Sequence, residues 1–208
     1  MIKTHHISIQ KTARYCTIGE LNDKTQEVWI VLHGYAQLAF EFIHNFSILD
    51  NGKRLIVAPE GLNRFYAKGF GGKPVANWMT AEDREYEIKD YLLYIQSVYT
   101  SLNIPDNCKV KLLGFSQGAT TASRFYNAQL CKIDELILYA GEIAAELINP
   151  ISPTLLHQNI TYITGNNDPF ITAEKLENIL QLMQTINAKI IQFDGGHEIK
   201  TEVLQLLT

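Results

Sequence analysis

Short continuous apolar runs alternate along this chain with stretches whose apolar residues recur every three or four positions. A run of this kind that ends at Gly or Pro is typical of a strand buried on both faces that leads into a tight turn. Two extended segments, His5 to Gln10 and Arg14 to Ile18, come first. The buried runs follow at Glu27 to Leu32, Arg54 to Ala58, Lys109 to Leu113, Glu135 to Tyr139, Ile160 to Thr164 and Lys189 to Phe193.

The stretches between these runs predict amphipathic helices. In the clearest one Thr80 is the predicted N-cap, with Asp83 completing a capping box. Its apolar stripe comprises Ile88, Tyr91, Leu92, Ile95, Val98 and Leu102. A second stripe follows Thr172 and comprises Leu176, Ile179, Leu180 and Met183. Shorter patterns span Leu38 to Leu49, Ala119 to Leu130, and Ile199 to Leu207.

Buried strands that alternate with helices predict right-handed crossovers and a mostly parallel sheet. We therefore expect a three-layer α/β fold of about eight strands with helices on both faces, the first two strands forming an antiparallel edge. Ligands of such open sheets bind beyond the carboxyl ends of the strands. Residues directly after each strand are therefore the first candidates for chemistry.

Composition narrows the function classes. The 208 residues, 46% of them hydrophobic, predict one globular domain spanning 1–208. A net charge of -4 with scattered Lys and Arg argues against nucleic-acid binding. The apolar runs are too short to span a bilayer, which argues against integral membrane association, and the opening MIKTHHISIQ lacks the apolar core of a signal peptide. Three cysteines without metal-type spacing predict no metal site and favour a cytoplasmic location.

One pentapeptide carries the strongest chemical signal. Gly114-Phe115-Ser116-Gln117-Gly118 lies between a predicted buried strand and a predicted helix. This is the G-x-S-x-G pattern of a nucleophile elbow, in which a strained turn holds the serine Oγ clear of the sheet. The other interpretation is a glycine-rich turn with an incidental serine. The context favours Ser116 as a nucleophile.

A serine nucleophile needs a base, and the base needs an orienting acid. In this fold class the acid and then the histidine follow the serine along the chain. After Asp168 the only histidine is His197, and Asp168 is the only carboxylate between Glu146 and Glu174. Both follow predicted strands. The sequence therefore predicts a Ser116, Asp168 and His197 triad.

Weaker candidates for these roles remain open. Glu142, after the strand ending at Tyr139, is the most credible alternative acid. Asp194 and Glu198 flank His197, but adjacent residues seldom face each other. His157 precedes its strand and therefore belongs to the wrong edge of the sheet.

The developing oxyanion needs two N–H donors, one from the residue after the nucleophile and one from the loop after an earlier strand. Gln117 and Tyr35, the latter in Leu32-His33-Gly34-Tyr35, are the candidates. His33 has either a catalytic role or a structural one, and its position favours the structural one.

These segments together resemble a known family. His33-Gly34, Gly114-Phe115-Ser116-Gln117-Gly118, Asp168 and Gly195-Gly196-His197-Glu198-Ile199 resemble the phospholipase/carboxylesterase family of α/β-hydrolases, which includes acyl-protein thioesterases. The resemblance implies a small serine esterase with no lid domain and no cofactor. It also implies that Ser116, Asp168 and His197 form the triad and that Tyr35 and Gln117 supply the oxyanion donors.

The chain departs from the family pattern in places that bear on substrate preference. Ala119 replaces a usual second glycine, Thr164 replaces a histidine, and Asn77-Trp78-Met79-Thr80 lacks the aromatic and acid that usually follow the tryptophan. The segment 60–80 is predicted to be a long loop that walls an acyl groove. Its candidate substrate-binding residues are Phe65, Tyr66, Phe70 and Trp78.

The expected reaction is hydrolysis of an ester or thioester of a small acyl substrate through an acyl-enzyme. A peptidase or acyltransferase on the same triad is the second hypothesis, and a non-catalytic binding protein on a hydrolase fold is the third. A homodimer is compatible with the sequence.

Overall fold

A computed structural model describes residues 1–156 and 159–208. Its strands are β1 (Tyr15–Ile18), β2 (Glu27–Leu32), β3 (Arg54–Pro59), β4 (Asn63–Phe70), β5 (Pro74–Asn77), β6 (Lys109–Phe115), β7 (Glu135–Tyr139), β8 (Ile160–Gly165) and β9 (Lys189–Phe193). Its α-helices are α1 (Ala39–Phe42), α2 (Arg84–Ser101), α3 (Gln117–Ala128), α4 (Pro153–Leu156), α5 (Ala173–Thr185) and α6 (Thr201–Gln205). Two 3₁₀ segments span Ile43–Leu49 and Ala145–Leu147.

The central sheet has seven strands in the order β1-β3-β2-β6-β7-β8-β9. All neighbours pair in parallel except the edge strand β1, which is antiparallel to β3. The α/β fold is confirmed, but the expected count of about eight strands is one too high. His5–Gln10 forms no strand and is exposed; His6 bonds to Asp83, and the following Lys11 donates to the Leu62 carbonyl.

Helices cover both faces of the sheet, so the predicted three layers are confirmed. Successive strand residues point to opposite faces. In β2, Ile30 and Leu32 pack with residues of α2, α3 and α5, whereas Trp29 and Val31 pack with residues of α1, the first 3₁₀ segment and α6. This two-sided burial explains why the central strands are apolar throughout.

The start of α2 differs from the prediction. The helix begins at Arg84, and its N-cap is Asp83, whose φ of 49° is left-handed and whose side chain makes no capping bond. Thr80 lies four residues before the helix and does not cap it, and both its N–H and its hydroxyl donate to the Glu87 carboxylate. Thr172, which precedes the second apolar stripe, caps α5, since its hydroxyl oxygen accepts the Lys175 N–H at 3.3 Å.

The segment predicted as a long loop contains a β-hairpin. β4 and β5 pair antiparallel as a separate two-stranded sheet, with Asn63 opposite Asn77 and Tyr66 opposite Pro74. Paired N–H and C=O groups satisfy its backbone, which a structureless loop of this length would leave to solvent. The hairpin is tied to the loop after β2 because the Ala76 N–H donates to the Gln37 carbonyl at 3.2 Å.

Of the helices in residues 1–156 and 159–208, none combines the length and the apolar character needed to cross a bilayer.

Candidate active site

Ser116 occupies a strained turn between β6 and α3. Its φ of 55° and ψ of -120° are rare for a residue with a side chain, and its N–H donates to the Tyr139 carbonyl at 2.9 Å. Residues held in such conformations cluster at functional sites. The turn leaves Ser116 partly exposed, whereas Phe115 before it is buried.

Glycines permit the tight crossing on either side of this serine. A Cβ on Gly114 would lie 2.1 Å from the Gly118 carbonyl oxygen, and a Cβ on Gly118 would lie 2.2 Å from the Leu32 carbonyl oxygen. Both neighbours are backbone atoms that cannot rotate away. Helix α3 therefore packs directly against the ends of β2 and β6, which brings Ser116 close to the loop that follows β2.

The structure places the three predicted triad residues in one hydrogen-bonded chain. The His197 Nε2 atom lies 2.9 Å from the Ser116 Oγ, and the His197 Nδ1 atom lies 2.7 Å from Asp168 Oδ2. Asp168 is 6% exposed, and its other oxygen accepts the Phe170 N–H at 2.9 Å. A buried carboxylate on Nδ1 favours the tautomer in which Nε2 can accept a proton from the hydroxyl.

Main-chain bonds bring the acid and histidine loops together. Asn166 N–H donates to the Phe193 carbonyl and Asn167 N–H donates to the Gly195 carbonyl, each at 2.9 Å. The Tyr139 hydroxyl accepts the Lys200 N–H at 3.0 Å, which anchors the far end of the histidine loop. Burial raises the pKa of Tyr139 to about 12, so this hydroxyl stays neutral.

The alternative acids have other partners. Glu142 forms an ion pair with Lys175, with 2.6 Å between Oε1 and Nζ. Asp194 accepts from the Asn167 amide at 3.3 Å, and Glu198 Oε1 accepts the Gly196 N–H at 3.4 Å. His157 lies outside the described residues.

The loop after β2 passes directly beside the nucleophile. A Cβ on Gly34 would lie 3.1 Å from the Ser116 Cβ, and the Gly34 N–H donates to Gln37 Oε1 at 2.7 Å. The N–H of Tyr35 has no acceptor among the described residues. The N–H of Gln117 belongs to the first turn of α3, where N–H groups lack an acceptor in their own helix. Tyr35 thus directly follows the glycine that lies beside Ser116, and Gln117 directly follows Ser116 in the chain.

His33 is fully buried and holds this loop in shape. Its Nδ1 lies 2.7 Å from the Gly34 carbonyl oxygen, and its Nε2 accepts the Gly61 N–H at 2.9 Å. Because Nε2 is an acceptor, Nδ1 carries the proton and donates. Burial lowers the pKa of His33 from 6.5 to about 4, so the ring is neutral at pH 7. These contacts fit the structural role that the sequence favoured.

The four candidate substrate-binding residues occupy different environments. The Phe65 ring lies 5.5 Å from the Tyr35 ring, beside the loop after β2. Tyr66 and Phe70 are exposed on the hairpin, Phe70 at its tip. Trp78 was predicted to bind substrate, but its side chain is 1% exposed. Its indole N–H donates to the His33 carbonyl at 2.7 Å.

Sequence reasoning missed Phe170. This side chain is 70% exposed, and its ring lies edge-on to the His197 imidazole with 4.7 Å between centroids. It therefore borders the triad at His197. An aromatic residue two positions after the acid in Asp168-Pro169-Phe170 was the available signal.

Within the described ranges, no group of three or more His, Cys, Asp or Glu side chains is arranged to hold a metal ion. The groups assembled here can transfer a proton, attack a carbonyl carbon and stabilise an oxyanion.

Comparisons with known proteins agree with this chemistry. The sequence model of the family described as Serine hydrolase (FSH1) matches residues 29–203. That range contains Ser116, Asp168 and His197. No curated protein matches the chain in sequence.

Several solved structures share the fold. Acyl-protein thioesterase 2 from Zea mays is 15% identical, with a TM-score of 0.71, over 94% of this chain and 96% of that one. A phospholipase/carboxylesterase from Dyadobacter fermentans is 18% identical, with a TM-score of 0.65, over 96% of each chain. The carboxylesterase of Bacillus cereus is 14% identical, with a TM-score of 0.65, over 94% and 91%. At these identities the likeness establishes the fold.

Proposed function

The chain belongs to the FSH1 family of serine hydrolases, and from this premise we propose that it hydrolyses carboxylic esters or thioesters of small acyl substrates through an acyl-enzyme. The observation that supports this most directly is the continuous hydrogen-bonded chain from Ser116 through His197 to Asp168. A hydroxyl becomes a competent nucleophile when a positioned base can take its proton.

In the proposed reaction His197 Nε2 removes the Ser116 proton as Oγ attacks the acyl carbon. Asp168 holds the imidazole and stabilises the positive charge that it gains. His197 then protonates the leaving alcohol or thiol, which leaves an ester between Ser116 and the acyl group. Water, activated by the same imidazole, attacks this ester and releases the acid.

The backbone N–H groups of Tyr35 and Gln117 are proposed to bind the oxyanion of both tetrahedral intermediates. A donor of this kind lowers the barrier by about 3 kcal/mol, because it is already oriented before charge develops. Support comes from the closeness of Gly34, which precedes Tyr35, to Ser116, from the place of Gln117 directly after Ser116, and from the lack of an acceptor for the Tyr35 N–H among the described residues.

For substrate binding we propose an apolar acyl group beside the aromatic residues that border Ser116. Phe65 contacts Tyr35, which follows Gly34 beside Ser116, and Phe170 contacts the His197 ring. Exposed Tyr66 and Phe70 lie on the same hairpin as Phe65. The thioesterase and the two carboxylesterases that share the fold are consistent with either an oxygen or a sulfur leaving group.

Labelling with a fluorophosphonate probe tests the nucleophile. Wild-type protein and Ser97→Ala, which alters an exposed serine of α2, should both label, whereas Ser116→Ala should not. Ser116→Ala should also lower turnover of a p-nitrophenyl ester by about 10⁴- to 10⁶-fold with an unchanged circular dichroism spectrum. A folded Ser116→Ala variant that keeps a tenth of the wild-type turnover would exclude this serine.

Parallel assays with an ester, a thioester and an anilide of the same acyl group separate the remaining hypotheses. Faster cleavage of the anilide would favour a peptidase, and acyl transfer to an added alcohol in place of water would favour an acyltransferase. A folded protein that neither labels nor turns over any of the three would favour a binding protein.

We also propose the form and the location in which the protein acts. Residues 1–208 would act as one catalytic domain in the cytoplasm, without a cofactor, on a small-molecule substrate. Gel filtration with light scattering would distinguish a monomer from a homodimer.

A further inference from the structure

We propose that Trp78 is a positioning residue that fixes the two oxyanion donors relative to each other. The proposal rests on the function proposed above and concerns a residue that touches neither substrate nor the reacting atoms. Trp78 directly follows β5 and is almost completely buried between the loop after β2 and the start of α3.

The first connection runs from Trp78 to the Tyr35 donor. The indole N–H donates to the His33 carbonyl at 2.7 Å, and the His33 ring in turn binds the Gly34 carbonyl at 2.7 Å. The Gly34 carbonyl and the Tyr35 N–H belong to the same planar peptide unit. Fixing the Gly34 carbonyl therefore fixes the direction of the Tyr35 N–H. Trp78 holds the preceding peptide unit, which contains the His33 carbonyl.

The second connection runs from Trp78 to the Gln117 donor. The Trp78 backbone N–H donates to Gln117 Oε1 at 3.1 Å, and Gln117 Nε2 donates to the Met79 carbonyl at 2.9 Å. The Gln117 amide thus pairs with two successive residues of one segment. This holds the residue that carries the second N–H against the segment containing Trp78.

Packing makes this arrangement rigid. The indole lies 5.0 Å from the His33 imidazole at an angle of 30°, and its other side meets the Tyr91 ring edge-on at 6.3 Å. The indole bond to the His33 carbonyl is buried and the two Gln117 bonds are partly buried, so removing the indole N–H would leave the His33 carbonyl without solvent to replace its partner. Because donors must already point at the developing charge, a small displacement of either one is costly.

The test is Trp78→Phe, which removes the indole N–H but keeps a ring in the core. We expect kcat for a short-chain ester to fall between about 10- and 100-fold while KM changes by less than about threefold, because the ground-state carbonyl depends little on these donors. The Ki of an alkyl boronic acid, which forms a tetrahedral anion on serine, should rise in parallel with the loss of kcat/KM.

Tyr91→Phe is the matched control. It also removes a buried polar contact beside the indole, since the Tyr91 hydroxyl accepts from Arg124 at 3.2 Å, but it touches neither donor loop. The control should keep kcat within about twofold of wild type. Equal losses of kcat in both variants at equal loss of stability would overturn the proposal, since a general weakening of the core would then explain them.

A second measurement is independent of turnover. Trp78→Phe should shift the backbone amide resonance of Tyr35, which the indole connection reaches, and an unchanged resonance would overturn the proposal. If wild type hydrolyses no ester, the proposed function fails while this readout still decides the positioning role. Should Trp78→Phe not fold, Gln117→Met breaks the connection from the other side and should lower kcat in the same way.

Discussion

Acid should destabilise this protein through His33 in a pH window set by its burial. In the folded chain Nε2 accepts the Gly61 N–H, so a proton added there would face another donor, and burial lowers the pKa to about 4. In the unfolded chain the pKa is 6.5. Between these values the unfolded chain binds a proton that the folded chain excludes, so stability falls as pH falls.

The magnitude follows from the two pKa values. A tenfold change in proton affinity corresponds to about 1.4 kcal/mol, so His33 should contribute a loss of about 3 kcal/mol from pH 6.5 to pH 4, about 2 kcal/mol of it above pH 5. Below pH 4 this contribution should level off. For a domain whose total stability is about 5–15 kcal/mol, the loss is easily measured.

Urea unfolding of wild type and His33→Asn at several pH values isolates this contribution. Carboxylates such as Glu60 titrate in both proteins, whereas only wild type carries the buried imidazole. The free energy of unfolding of wild type should therefore fall more steeply between pH 6.5 and 4. His44→Gln, which removes an exposed imidazole, tests whether losing any histidine has the same effect. Parallel curves for wild type and His33→Asn would refute the reasoning.

Two further predictions concern the turn and the triad. Gly118→Ala should destabilise the protein by more than about 3 kcal/mol or prevent folding, because its Cβ would overlap the Leu32 carbonyl. The control Gly71→Ala, whose Cβ would meet no atom within 4 Å, should change stability by less than about 0.5 kcal/mol. Equal melting temperatures of the two variants would contradict this prediction. Asp168→Asn should lower kcat by about 10⁴-fold, because an amide no longer holds His197 in the tautomer that accepts the Ser116 proton. The urea midpoint of the folded variant should be unchanged, and a kcat within tenfold of wild type would reject the assignment of the acid.

Sequence was sufficient where one local pattern determines one local structure. The apolar runs identified the six central strands, and chain order alone selected Asp168 and His197, which the structure brings within hydrogen-bonding distance of each other and of Ser116. Such residues are predictable because parallel strands bring their exits to the same edge of the sheet. Their catalytic roles stay predictions until the variants are assayed.

The features that sequence did not reveal depend on tertiary contacts. The hairpin was taken for a loop because its glycines and exposed aromatic residues gave no buried face. Trp78 was predicted to bind substrate, and its burial was missed, because an aromatic residue in a polar segment carries no sign of which neighbours enclose it. The predicted start of α2 was wrong: the helix begins at Arg84, and Thr80 bonds to the carboxylate of Glu87, within the helix, which a local capping pattern does not show.

The hairpin is attached to the catalytic half of the molecule at its base. The Ala76 bond to Gln37, the contact of the Phe65 and Tyr35 rings and the segment through Trp78 join it to the loops around Ser116. Lys73 pairs with Glu41 of α1, while residues 66–72 project beyond these attachments. The outer part of this finger could therefore be shortened, lengthened or exchanged without rebuilding the sheet that positions the nucleophile. A library randomised there would sample new acyl preferences on a constant reaction centre, which makes this segment the natural starting place for engineering the enzyme.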